Sequence, residues 1–358
     1  MAIDPQLLEA RDEVIQCELL TSEDISLGIL GRVLKGSLDF NVGRVVRGGG
    51  NVTLNLSRDV SWESARIKIS RGIRVPGEAT PRMWGCGVFR ALVGDEDWAA
   101  EGATVSASLL DKTSFLDELQ LDHTYTLPVG YVVTKAVREL VLEAGEKRFS
   151  ITDSDRALSA PMSWNPGTSY LKIINELLDT IGYFAMWADG EGYLRADPYS
   201  PPADRPVAFH FRNDARSIVT PEFKLLQAPY KVPNKVIGTS RVEGDEPQLL
   251  SVATNENENS PYSYQARGGK WRTETLPDLD VTTQEALDEK VLRHLITVTS
   301  AARGVEFSHG WLPLNLNDVV GWTNTRAGVD MFGTLVSWEM DLTEGTLVKS
   351  KVTEVVSL

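Results

Sequence analysis

Apolar and polar residues alternate through much of the first third of the chain. Val52, Leu54 and Leu56 are separated by Thr53 and Asn55. Ala65, Ile67 and Ile69 are separated by Arg66 and Lys68, and Val105, Ala107 and Leu109 by Ser106 and Ser108. A period of two places one face of each segment on a core and the other in water, so these stretches are predicted strands. Gly- and Asp-rich turns interrupt them at short intervals, which predicts an antiparallel barrel or sandwich over residues 1–125.

The period then lengthens. Between Gly130 and Ala144, the residues Val133, Ala136, Val137, Leu140, Val141 and Ala144 recur at helical spacing, and Gly145 can cap the end. A second helix is predicted from about Ser169 to Ile181, with Ile174, Leu177, Leu178 and Ile181 as its apolar stripe. Thr168 or Ser169 can cap its start and Gly182 can end it. Asp189-Gly190-Glu191-Gly192 lies between the aromatic-rich runs Tyr183–Trp187 and Tyr193–Ala196, which is a hairpin signal. Helix, helix and hairpin predict a small α+β domain over residues 126–204, with Pro198, Pro201, Pro202 and Pro206 marking its exit.

Strand character returns at Val207. Residues 245–280 are polar and turn-rich and read as an insertion or long loop. A third helix follows over Ala286–Thr299, with Leu287, Val291, Leu295 and Val298 on its apolar face and Thr282 and Glu285 at capping-box spacing. Strands are predicted again at Val305–Phe307, Val319–Trp322, Met331–Met340 and Leu347–Val356. The sequence shows no internal repeat and no low-complexity tract.

The chain has 358 residues, 42% of them hydrophobic and 24% charged, a globular profile with room for two to four domains. Apolar runs fall short of the roughly 18–20 residues of a membrane span, and the start Met1-Ala2-Ile3-Asp4-Pro5 lacks the basic and apolar segments of a signal peptide. The net charge of −14 argues against a surface built to grip nucleic acid or anionic lipid, since both need Lys/Arg clusters. Arg44–Arg47, followed by Gly48-Gly49-Gly50, reads as a flexible loop. Cys17 and Cys86 match no metal or redox spacing and are expected to be free thiols.

Candidate chemistry is sparse. His123, His210, His294 and His309 form no His-x-x-x-His pair. His294 falls on the apolar side of the third helix and is expected in a core or interface, and His309, beside Gly310-Trp311, is expected in a turn. Asp95-Glu96-Asp97 reads as a solvated loop between strands, where neighbouring carboxylates gain no raised pKa for acid catalysis. Asp153-x-Asp155 opens like a calcium loop, but Ala157 and Leu158 stand where oxygen ligands and a glycine belong. Gly190-x-Gly192 sits in a hairpin, away from any helix start that could converge N–H groups on a pyrophosphate. Asn51-Val52-Thr53 matches a glycosylation sequon inside a predicted strand. The nine tryptophans are expected in core and subunit contacts more than in a sugar platform. The sequence therefore assigns no catalytic, cofactor-binding or metal-binding residue, implies no cofactor, and reads as a non-enzyme.

The run from Ser169-Tyr170-Leu171-Lys172-Ile173-Ile174-Asn175-Glu176-Leu177-Leu178 to Arg195-Ala196-Asp197-Pro198 resembles phage tail baseplate-hub and minor tail proteins. In that family a helix, a strand, an Asp-x-x-Gly hairpin and a strand ending in Pro recur in this order. The C-terminal run is similar as well: a helix, then Leu314-Asn315-Leu316-Asn317-Asp318-Val319, then two long strands, with Asn317 where glycine is commoner in the family.

The resemblance implies a mainly β fold with α+β insertions, built on two tail-tube-like antiparallel β-barrels. One covers residues 1–125, and the other covers 205–245 and 300–358. The small α+β domain (126–204) and an inserted loop-and-helix segment (246–299) decorate them. It further implies a homotrimer whose six barrels match a hexameric tail tube. The expected partners are the tail tube, distal tail proteins, tip or fibre proteins, and genomic DNA that passes without specific binding. The expected location is the virion tail tip after assembly in the host cytoplasm, without membrane insertion. The rival readings are a β-rich tail protein that binds host-surface carbohydrate and a tail-associated cell-wall hydrolase.

Overall fold

The computed structural model describes residues 3–9, 11–56, 60–99, 102–214, 217–227, 232–241, 247–258, 260–279, 281, 283–300 and 303–355. The chain opens with strands β1 (Asp12–Leu20), β2 (Ser26–Ile29), β3 (Gly31–Asn41), β4 (Gly48–Leu56), β5 (Arg66–Arg74), β6 (Arg82–Ala99) and β7 (Gly102–Asp111). In β4 Val52, Leu54 and Leu56 are buried, in β5 Ile67 and Ile69, and in β7 Val105, Ala107 and Leu109. All three alternations therefore sit on one core. The acidic run Asp95–Asp97 lies inside β6, opposite β7, and not in a loop between strands. The reason is length: β6 runs for 18 residues and carries its pairing past a bulge between Val93 and Glu96.

Next come α1 (Thr113–Glu118), β8 (Tyr125–Leu127), α2 (Val133–Glu143), β9 (Phe149–Ile151), β10 (Met162–Trp164), α3 (Tyr170–Thr180), β11 (Trp187–Ala188) and β12 (Leu194–Ala196). Both predicted helices form and end as expected. Gly145 and Gly182 take left-handed φ values of 84° and 71°. The next residue's N–H reaches back to close the last turn in each case, Glu146 to Val141 at 3.1 Å and Tyr183 to Leu178 at 2.9 Å. Ser169 caps α3 by accepting from the N–H of Lys172 at 3.3 Å. Val137, Leu140, Ile174, Leu177 and Leu178 form a separate core with Met186, Leu194 and Ala196 from the hairpin. Trp187, at the start of the hairpin, is only half-buried and lies outside this core.

The remainder comprises β13 (Val207–Arg212), β14 (Val219–Gln227), β15 (Lys235–Ser240), β16 (Leu250–Thr254), β17 (Thr273–Leu279), α4 (Gln284–Ser300), β18 (Arg303–His309), β19 (Val319–Asn324), β20 (Val329–Asp341) and β21 (Val348–Glu354). Residues 245–280 are not a plain loop. β16 and β17 flank β15 in a three-stranded sheet, and α4 lays Leu287, Val291 and Leu295 on it. β15 thus belongs to the inserted unit, which begins before residue 246. A Cβ on Gly238 would stand 2.2 Å from the Val291 side chain, so glycine is what lets α4 approach β15 this closely. Thr282 lies outside the described residues; Thr283 caps α4, its hydroxyl accepting from the N–H of Ala286 at 3.2 Å.

Thirteen strands form one continuous, mainly antiparallel sheet in the order β14-β18-β21-β20-β3-β4-β7-β6-β5-β1-β2, with β19 on β20 and β13 on β19. No ladder closes either half into a barrel among the described residues. The two halves repeat one plan. β1–β5, β5–β6, β6–β7, β7–β4 and β4–β3 correspond in chain order to β13–β19, β19–β20, β20–β21, β21–β18 and β18–β14. Only the first ladder changes sense, being antiparallel for β1–β5 and parallel for β13–β19. The halves join along one edge of β20. That edge holds β19 over Val329–Thr334 and β3 over Ser337–Asp341. The inserted unit occupies the β14–β18 connection, the place of the short turn between β3 and β4.

Candidate functional site

Two buried ionic clusters fix the parts to one another. Arg66 on β5 and Lys112 after β7 face Asp24 and Glu146. Arg66 Nη1 lies 2.8 Å from Asp24 and Nη2 2.5 Å from Glu146, while Lys112 Nζ lies 2.6 Å from Asp24 and 2.8 Å from Glu146. All four side chains are buried, their charges balance, and Glu146 belongs to the loop after α2. The second cluster joins the two halves of the sheet. Arg71 on β5 pairs with Glu13 on β1, its Nε 3.2 Å away, and donates to the Thr346 carbonyl at 2.7 Å. Glu13 also accepts from Arg11 at 2.8 Å and from the N–H of Gly345 at 3.0 Å, and Arg11 donates to the Trp311 carbonyl at 2.8 Å. Those guanidinium contacts outweigh burial and hold the Glu13 carboxyl below its usual range.

Four of the nine tryptophans meet at one junction. Trp84, Trp187, Trp311 and Trp338 line a cavity of about 280 Å³ where β6, the β11–β12 hairpin and the second half of the sheet meet. Phe40 stacks on Trp338 at 4.4 Å. A stacked pair that faces outward, Trp271 on Tyr264 at 4.3 Å, sits on the inserted unit.

The four histidines lie apart from one another and each has its own partner. His123 is exposed beside Asp122, His210 meets the Thr323 hydroxyl at 2.7 Å, and His294 meets Glu274 at 3.1 Å. His294 is half-buried on the side of α4, since the core face is taken by Leu287, Val291 and Leu295, so of the core or interface position expected for it the core is not where it lies. His309 is not in a turn. It ends β18, fully buried, with Nδ1 2.7 Å from the Gly310 carbonyl and Nε2 2.9 Å from the Ser350 hydroxyl. Burial pushes its pKa down to about 4. The folded chain therefore takes up this proton less readily than the unfolded chain. Stability due to His309 is full above pH 6.5 and falls as pH drops from 6.5 towards 4. A urea series over that window should show a falling midpoint for the parent and a flatter profile for His309→Gln.

The remaining candidates behave as solvated or structural groups. Asp153 pairs with Arg138 at 2.5 Å, and among the described residues no three His, Cys, Asp or Glu side chains are placed to hold a metal ion. Gly190 and Gly192 lie in the tight turn where the N–H of Gly192 donates to the Asp189 carbonyl at 2.9 Å. Cys17 and Cys86 are free and buried, with both thiols pushed up to about 12. No helix is long and apolar enough to cross a membrane among the described residues.

The surfaces that sequence reasoning missed are sheet edges. β2 and its approach expose Ile25 (59%), Leu27 (49%) and Ile29 (61%), and no residue of β14 is buried. Alternation marks Ile25, Leu27 and Ile29 as a strand face, but it carries no information on whether that face is covered.

No family model and no curated protein sequence matches the chain. Solved structures do. A tail protein from Neisseria meningitidis MC58 superposes with a TM-score of 0.64 at 12% identity, covering 95% of this chain and 96% of its own. The 43 kDa tail protein of prophage MuSo2 from Shewanella oneidensis gives 0.59 at 13% identity, over 95% and 98%. The prophage tail protein gp18 from Listeria monocytogenes EGD-e gives 0.57 at 12% identity, over 94% of both chains. The chain is thus mainly β, with the fold of these tail and prophage tail proteins along nearly its whole length.

Proposed function

We propose that this chain is a hub-type structural subunit of a phage tail. It would cap the tail tube, join it to the tip, and frame part of the DNA channel without making or breaking a bond. The observation that carries the reading is the repeated strand plan. Two equivalent β units per chain, β1–β7 and β13, β14 with β18–β21, give six units in a ring of three copies, the number that meets a hexameric tube. In this reading the α+β unit and the inserted unit decorate the ring and face neighbouring tail proteins, the two ionic clusters hold the α+β unit and both halves of the sheet together, and Asp179 on α3 pairs with Lys290 and Arg293 of the inserted unit. The site of action is the virion tail.

A channel for DNA must not hold it. Duplex DNA carries one negative charge per roughly 1.7 Å of axis, and each phosphate neutralised by Lys or Arg releases counterions and adds affinity. A net charge of −14 suits a neutral or acidic bore. We expect light scattering to give a trimer at high protein concentration, negative-stain images to show a ring with a central hole, and duplex DNA to show no salt-sensitive binding at about 50 mM salt. A strict monomer in solution together with non-threefold symmetry in an assembled tail would overturn the ring, and tight DNA binding would overturn the conduit. The outward Trp271–Tyr264 pair is the feature that favours the second reading, a host-carbohydrate contact made by the inserted unit.

A further inference from the structure

The two halves of the sheet use corresponding strands, but they do not have corresponding partners. β3 has β4 on one edge and the end of β20 on the other. Its counterpart β14 has β18 on one edge and, among the described residues, nothing on the other. β20 carries β21 along one edge and, along the other, β19 as far as Thr334 and then β3 from Ser337. Its counterpart β6 carries β7 along one edge and, on the other, β5 as far as Arg90, where the pairing stops. Both long strands also bulge at the equivalent place. The β20–β21 ladder is interrupted between Leu335 and Ser337, and the β6–β7 ladder between Val93 and Glu96, just before the second half of the strand. The second half of β20 is paired on both edges, and the second half of β6, among the described residues, only on the β7 edge.

Unpaired strand edges expose backbone N–H and C=O groups that another strand can satisfy. We infer that the unused pair of edges is used between copies of this chain. Lys224–Gln227, the end of β14 next to the inserted unit, adds antiparallel to Glu96–Ala99 of β6 in the next copy. This repeats between molecules the ladder that Ser337–Asp341 makes with the end of β3 within one molecule. Pro221, which lacks a donor, lies outside the segment used. The contact is head-to-tail, since one copy gives β14 and its neighbour gives β6, so it closes a ring where the rotation permits. With it every β unit in the ring meets its neighbour in the same way. The inference rests on the ring reading and names the strands that build it.

Cysteine pairs test the register. Asp97 on β6 and Gln227 on β14 are exposed, Leu226 is half-buried, and both native thiols are buried. In this ladder Asp97 stands opposite Leu226, so Asp97→Cys combined with Leu226→Cys reads it directly, and Asp97→Cys combined with Gln227→Cys, whose side chains leave opposite faces, is the out-of-register control. A disulfide forms only where Cα atoms come within about 4.4–6.8 Å. After diamide oxidation of the full chain, a non-reducing gel should show the Asp97–Leu226 double variant running as covalent species up to a trimer. Each single variant and the control pair should stay uncrosslinked. A trimer by light scattering without a crosslink from the Asp97–Leu226 pair would overturn this strand pairing and leave the ring standing. Crosslinked dimers from a single variant would show a two-fold contact and overturn it as well. A chain that is monomeric at every concentration and uncrosslinked would overturn the pairing, and non-threefold symmetry in an assembled tail would overturn the ring with it.

Discussion

Replacing Glu146 with alanine should lower unfolding stability by about 3–5 kcal/mol, the usual effect of removing one partner from a buried ion cluster. Glu146 accepts from Arg66 and Lys112 at once, and its loss leaves two buried cations facing the single carboxylate of Asp24. Bulk solvent cannot replace the missing carboxylate as it would at a surface, because Lys112 and Arg66 are themselves buried. The loss should persist at high salt, since buried pairs are screened far less than exposed ones. The exposed pair Arg74–Asp12 makes the control. It lies 3.2 Å apart in open solvent, and Asp12→Ala should leave the urea midpoint nearly where it was. A Glu146→Ala midpoint equal to the parent's would show that the cluster does not hold the α+β unit to the sheet.

Leu178→Asp should prevent the α+β unit from folding, and Leu178→Ala should cost about 2–5 kcal/mol through lost burial and the cavity left behind. Leu178 is fully buried in α3 among Val137, Leu140 and Leu194. An unpaired carboxylate there would have no partner, and burying it is prohibitive. The readout is local. Trp164 is buried in the same unit, donating its indole N–H to Glu176 at 2.6 Å, so its near-ultraviolet signal should vanish in the Asp variant. A Leu178→Asp chain that melts like the parent would mean that the α3 stripe faces elsewhere.

Much of this fold was legible in the amino-acid order because burial on one face imposes a local period. The alternation through Val52–Leu56, Ala65–Ile69 and Val105–Leu109 marks strands, and the stripes of α2 and α3 mark helices, whatever packs against them. Gly145 and Gly182 mark helix ends because a left-handed residue closes the last turn there. The order of those elements in the Ser169–Pro198 and Leu314–Val319 runs carried the resemblance to tail proteins, and the solved structures share the fold.

Tertiary structure alone decided the rest. β16 and β17 carry weak alternation in a polar stretch, and they became strands only because β15 and α4 cover them. The ionic clusters were invisible for a related reason. Asp24 and Lys112 are 88 residues apart, and Arg66 and Glu146 are 80 apart, so no spacing rule connects them. Nor did the chain display its own duplication. Equivalent strands need only compatible faces and lengths to adopt one plan, so the plan can repeat without a repeat of residues. Backbone hydrogen bonding, which is blind to side-chain identity, joins the halves through β20 and, among the described residues, leaves one edge of β14 and one edge of the second half of β6 without a strand.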